Sequence, residues 1–115
     1  MREIEYDKAR LLHILEAINY IESFCDGKAK NHLYDDAMFR FAIERQLEII
    51  GEAANHLSEK IKLDNPEAEW RKVTAFRNFI VHEYFGVDLE LVWDIIANKV
   101  PVLKIIVVKM ISLYE

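Results

Sequence analysis

Apolar residues in this chain recur three and four positions apart and nowhere alternate over a useful length, which is the period of helices rather than strands. Leu11, Leu15 and Ile18 form one such stripe, with Ile14 and Ile21 beside it. They predict a first helix that starts near Asp7 and stops at Gly27, acting as its C-terminal glycine. Residues 28–34 read as a connection. Phe39, Ile43, Leu47, Ile50, Ala54 and Leu57 predict a long second helix, capped by Asp35 or Asp36. Gly51 falls inside it at a cost of about 1 kcal/mol relative to alanine, which implies that another helix passes close by. Asn65-Pro66-Glu67 restarts the chain, with Asn65 as cap and Pro66 at the first helical position, and the segment through Tyr84 buries Trp70, Val73, Phe76 and Ile80. Gly86 ends that helix. Asp88 starts a last one bearing Leu89, Val92 or Trp93, Ile96, Val100, Leu103, Val107 and Met110. Pro101 removes a backbone hydrogen bond from it and predicts a kink near Ala97. The expected fold is all-α, an antiparallel four-helix bundle of long helices with short links and an extra short helix.

At 115 residues the chain is expected to be one domain, 1–115, with a single core. Three glycines and two prolines leave few turns, so disorder is expected only at the termini. Cys25 is the sole cysteine, which rules out an intrachain disulfide, and no secretory signal precedes the first helix; a reducing cytoplasm is the expected location. The most apolar stretch, Val100 to Met110, is interrupted by Lys104 and Lys109 and falls short of the roughly 20 residues a membrane span needs. A formal charge of -5 argues against a general nucleic-acid binder, whose affinity comes from releasing counterions off many phosphates. Arg71, Lys72 and Arg77 lie close enough in sequence to form a local cationic patch, while the remaining acidity suits a protein partner.

Folding alone does not easily account for Arg77-Asn-Phe-Ile-Val-His82-Glu-Tyr84 and the adjoining Phe85-Gly86-Val87-Asp88. Helix ends do carry stray Arg, His or Tyr residues for solubility or packing. Here a guanidinium, an imidazole and a phenol fall within eight residues, which puts a fixed cation, a proton carrier and a reactive hydroxyl within reach of one phosphate. The Arg-x4-His-x-Tyr arrangement resembles the motif of the HepT-like ribonuclease toxins in the HEPN superfamily. The likeness extends to Arg45-Gln-Leu-Glu-Ile-Ile-Gly-Glu-Ala-Ala54 upstream and Phe85-Gly-Val-Asp-Leu-Glu-Leu-Val-Trp93 downstream, covering about residues 8 to 105. One departure is Phe76, where the pattern leads one to expect methionine; both are large and apolar.

On a helical wheel advancing about 100° per residue, Tyr84 lies about 20° from Arg77 and His82 about 140° away, on the side of Asn78. An intact single helix would not aim all three at one phosphate. Either the helix distorts before Gly86, or a second subunit completes the site across a two-fold axis. The resemblance implies the second, a cleft at a homodimer interface. Metal-independent RNA cleavage would follow, with no cofactor. His82 takes the proton from a ribose 2′-hydroxyl or delivers one to the leaving 5′-oxygen, and Arg77 holds the scissile phosphate. Asn78 either orients the imidazole and phosphate or is a solvated helix residue, and Glu83 reads as surface. For Tyr84 the residue chemistry favours a packing role whose hydroxyl supports the site. The resemblance implies instead an acceptor of AMP from an MNT-type nucleotidyltransferase antitoxin, with Tyr6, Tyr20, Tyr34 and Tyr114 as the other tyrosines.

Other constellations carry less. Glu48, Glu52 and His56 are spaced like metal ligands, yet they fall opposite the Ile43-Leu47-Ile50-Ala54 stripe, where charges normally face water, and no metal site is expected. His13 and His32 stand alone, and Cys25 lacks the neighbouring cation that marks a reactive thiol. No glycine-rich phosphate loop or serine nucleophile motif is present. The competing class is a non-catalytic helical accessory or substrate-binding subunit of a nucleotidyltransferase, for which the motif would be a docking surface.

Overall fold

The computed structural model describes residues 2–81 and 88–114, and among these every regular element is helical. Helix α1 (Arg2–Cys25) begins earlier than the apolar periodicity suggests. Asp7 does not start it. Its buried carboxylate accepts from the Ser58 N–H at 2.8 Å and the Ser58 hydroxyl at 2.6 Å, while Glu3 and Glu5 lie in the first turn where the helix dipole favours them. Leu11, Ile14, Ala17, Ile18 and Ile21 form the buried stripe, and Gly27 lies just past the helix at φ +74°, the left-handed conformation expected of a C-terminal glycine.

The 28–34 connection is not plain loop. A short helix, α2 (Asn31–Asp35), is anchored by fully buried Leu33, whose carbonyl accepts from the Arg40 guanidinium at 3.0 Å. Five residues make little more than one turn, too short to show a period. Lys30, just ahead of it, and Tyr34 within it both bond Glu90 near the other end of the chain. Asp36 proves to be the cap of α3 (Ala37–Asn55), accepting from the Phe39 N–H at 3.1 Å. The predicted stripe from Phe39 to Leu57 is buried throughout.

Asn65-Pro66 does not open a long helix. Ser58 caps a helix that the periodicity missed, α4 (Glu59–Asp64). The Asn65 side chain then donates to the Ile61 carbonyl at 2.9 Å, closing α4 rather than capping a new helix. Pro66–Ala68 form a single 3-10 turn, Glu69 takes the left-handed conformation at φ 52°, and only then does α5 (Trp70–Val81) begin. The Trp70 indole N–H donates to the Asn65 carbonyl at 2.9 Å, so the ring is buried with its polar atom satisfied. Val73 and Phe76 join it in the core, whereas the side chain of Ile80 and the predicted terminator Gly86 lie outside the described residues.

Asp88 caps α6 (Leu89–Asp94), accepting from the Leu91 N–H at 3.1 Å, and Val92 rather than Trp93 is the fully buried residue. The expected disturbance near Ala97 takes the form of a π-helical turn, Ile95–Lys99, leading into α7 (Val100–Ser112). The Val100 N–H reaches back five residues to the Ile95 carbonyl. Pro101 has no N–H to continue the ladder, and the wider turn just before it accommodates the loss.

Helix α3 is central, packing on both α1 and α5, and α1 also packs on α7. Gly51 is where α3 and α5 meet. A Cβ there would lie 2.8 Å from both the Cβ and the backbone N of Arg77, and 3.0 Å from the Thr74 carbonyl oxygen. The close helix approach expected at this glycine is thus present, and its partner is the residue that opens the motif. Among the described residues no helix is long and apolar enough to cross a membrane.

Candidate functional site

Packing of α5 on α3 sets the position of Arg77. With its backbone pressed on Gly51, its side chain leaves over the next residue of α3, and Nη1 lies 2.8 Å from Glu52 Oε1. The Arg77 side chain is 37% exposed and the Glu52 side chain 44%, so the pair is held in direction yet only partly covered. Glu52 Oε2 in turn lies 3.7 Å from His56 Nε2, one turn further along α3. A single carboxylate on α3 therefore lies between a guanidinium on α5 and the imidazole of the residue that caps the end of α3.

Glu52 and His56 also line a cleft of about 280 Å³ between α1 and α3, together with Arg10, His13, Arg45, Ile49 and Ala53. His13 therefore does not stand alone but shares this cleft with His56. His32 is also engaged, its Nδ1 lying 2.9 Å from the Ala29 backbone N and its ring edge-on to Phe39.

Of the residues singled out from sequence, Arg77 and Asn78 are adjacent on α5, with Asn78 exposed. His82, Glu83 and Tyr84 lie outside the described residues. Arg71, Lys72 and Arg77 do not form the bare cationic patch their spacing suggests, since Lys72 pairs with Glu69 at 3.1 Å and Arg77 with Glu52. The Glu48-Glu52-His56 series does not converge on one point: Glu48 pairs with Arg45, while Glu52 pairs with Arg77 and lies near His56. Among the described residues no group of three His, Cys, Asp or Glu side chains could hold a metal ion. Burial pushes the Cys25 thiol up, which keeps it protonated and poorly nucleophilic. The Tyr34 phenol is also pushed up, chiefly by its hydrogen bond to Glu90, which leaves its hydroxyl engaged.

The Glu52-Arg77 pairing escaped the sequence reading because it joins residues on different helices. Gly51 was its one available signal: a glycine that admits a neighbouring helix also fixes which residues of that helix sit opposite its own neighbours.

Comparison with known proteins assigns the family. The profile of the family described as "Ribonuclease HepT-like" matches residues 14–110, which contain all three sequence blocks noted above. The chain belongs to the HepT-like ribonuclease family. A Methanocaldococcus jannaschii protein named "Putative RNase MJ1380" is 36% identical over 97 residues, 84% of this chain and 89% of its own. A Thermococcus cleftensis protein named "Probable ribonuclease HepT" is 37% identical over 97 residues, 84% of this chain and 88% of its own. "Putative RNase TTE0752" from Caldanaerobacter subterraneus subsp. tengcongensis is 30% identical over 94 residues, 82% and 84% of the two chains. No solved structure matches. HepT-like membership agrees with the all-α fold and directs attention at this site to RNA.

Proposed function

We propose that this chain is the toxin of a toxin–antitoxin pair, a metal-independent endoribonuclease acting in the cytoplasm as a single-domain homodimer. The observation that carries the reading is the Arg77-x4-His82-x-Tyr84 motif lying within the matched family region, with Arg77 held by Glu52 and its side chain still partly exposed. Arg77 binds the scissile phosphate and stabilises the charge that grows on its oxygens. His82 removes the 2′-hydroxyl proton as that oxygen attacks phosphorus, and the 5′-oxygen leaves with a proton from the second imidazole of the dimer. Asn78, on the same side of the helical wheel as His82, orients the imidazole or the phosphate. The wheel separates Arg77 from His82, which favours a cleft completed by a second copy.

Control falls to Tyr84, whose hydroxyl attacks the α-phosphate of ATP on an MNT-type nucleotidyltransferase antitoxin and expels pyrophosphate. The attached AMP then puts a phosphate beside Arg77 and occupies the anion site. Expression without the antitoxin should arrest growth, and His82→Ala should relieve the arrest while the purified variant keeps its helical circular dichroism and its dimeric sedimentation. If both forms are equally harmless, the protein is better read as a non-catalytic accessory subunit.

A further inference from the structure

The α1–α3 cleft has a chemical character unlike the rest of this acidic chain. Its polar lining is two arginines, Arg10 and Arg45, two histidines, His13 and His56, and one carboxylate, Glu52, over an apolar floor of Ile49 and Ala53. That carboxylate is already engaged by Arg77. Arg45 pairs with Glu48 and Arg77 with Glu52, while Arg10, which lines the same cleft, has no acidic partner among the described residues. The Arg45–Glu48 pair is solvent-exposed, with Arg45 at 65%, and exposed pairs of this kind hold weakly, so an incoming phosphate can take Arg45 over. At about 280 Å³ the cleft lies just below the roughly 300 Å³ at which ligand pockets begin, and suits one nucleotide unit rather than a folded partner.

We propose that Arg10, His13, Arg45 and His56 form a second RNA subsite, which holds the phosphate and base of a nucleotide flanking the one bound at Arg77. The inference rests on the ribonuclease reading and deepens it. Arginine forks match phosphate oxygens in pairs, and both guanidinium and imidazole planes accept a stacked, unpaired base, so the lining favours single-stranded RNA. Glu52 is the wall between the two positions, touching Arg77 on one side and His56 on the other. A strand leaving Arg77 across this carboxylate enters the cleft at His56. A local cationic site also explains how a chain of net charge -5 can engage a polyanion at all.

The test is fluorescence anisotropy of the full-length protein with a short single-stranded RNA that is 2′-O-methylated throughout and so cannot be cleaved. Arg10→Gln with Arg45→Gln should weaken binding about 10-fold and flatten the dependence of log K on log salt by about 0.7 for each phosphate that is no longer neutralised. His13→Gln with His56→Gln should weaken binding several-fold with a smaller change in salt slope, and this pair keeps the test open should the arginine variant fail to fold. Wild-type binding that both folded variants reproduce in affinity and slope would overturn the subsite and leave the ribonuclease reading standing. A wild-type protein that neither binds this RNA nor cleaves its unmodified counterpart would overturn both. Displacement of the RNA by polyglutamate as readily as by unlabelled RNA would make the cleft a docking place for acidic protein and overturn the RNA assignment.

Discussion

Replacing Gly51 by alanine sets two effects of opposite sign against each other. Helix propensity alone favours alanine by about 1 kcal/mol in a helix interior. Against this, the added methyl would meet the Arg77 Cβ and backbone N at 2.8 Å and the Thr74 carbonyl oxygen at 3.0 Å. Carbon atoms pack best at about 3.5–4.0 Å, so α3 and α5 would have to part by about 0.7 Å at this point. Two of the three atoms are backbone, and no rotamer change relieves them. Overpacking of a core contact costs about 1–3 kcal/mol, and rigid neighbours favour the upper part of that range, which leaves a net loss of about 1–2 kcal/mol. For a chain of this size that is a fall in Tm of roughly 4–8 °C, readable as a thermal melt by circular dichroism. RNA cleavage should fall with it, because the displaced turn carries Arg77. A Tm equal to or above that of the unmodified protein would refute the close approach as the reason for glycine.

Asp7→Ala removes two hydrogen bonds from a buried carboxylate and strands the Ser58 N–H, so it should cost about 2–3 kcal/mol in urea unfolding, with strong coupling to Ser58→Ala in a double-mutant cycle. Asp36 has its carboxyl held below the usual range, first by the Phe39 N–H that it accepts and also by Lys28. Its contribution is therefore fully present above the ordinary aspartate pKa and is lost as pH falls through the lowered folded value. Asp36→Asn, which keeps a capping side chain but does not titrate, should flatten this acid limb and leave neutral-pH stability nearly unchanged. Co-expression with the partner nucleotidyltransferase should add AMP to Tyr84, and Tyr84→Phe should keep the fold yet escape the added mass; adenylate found instead on Tyr6, Tyr20, Tyr34 or Tyr114 would contradict this.

How legible the molecule is from its sequence depends on the range of the interaction involved. The stripes of α1 and α3 were readable because each repeats over several turns, and the start at Asp88 and the cap of α3, narrowed to Asp35 or Asp36, because caps act within three residues. The short helices α2 and α4 run for five and six residues, under two turns, and no period can declare itself over that length. Asn65-Pro66 misled because the Asn65 side chain looks backward to Ile61, and the left-handed Glu69 then breaks the path into α5. Pro101 told that the last helix must be disturbed but not how; the extra residue of a π-helical turn is one of several ways to absorb a missing N–H. At the candidate site the motif itself is local and was visible. The Glu52 bridge and the α1–α3 cleft join residues distant in sequence; Gly51 hinted at the first and nothing local at the second.

The central claim is that the motif cleaves RNA with its own side chains, and the ends of the product test it most directly. Purified protein incubated with single-stranded RNA in excess EDTA should yield fragments ending in 2′,3′-cyclic phosphate, identified by mass spectrometry. Arg77→Ala and His82→Ala should each slow that reaction at least about 100-fold. Cleavage that EDTA abolishes, or fragments ending in a 3′-hydroxyl, would contradict the account.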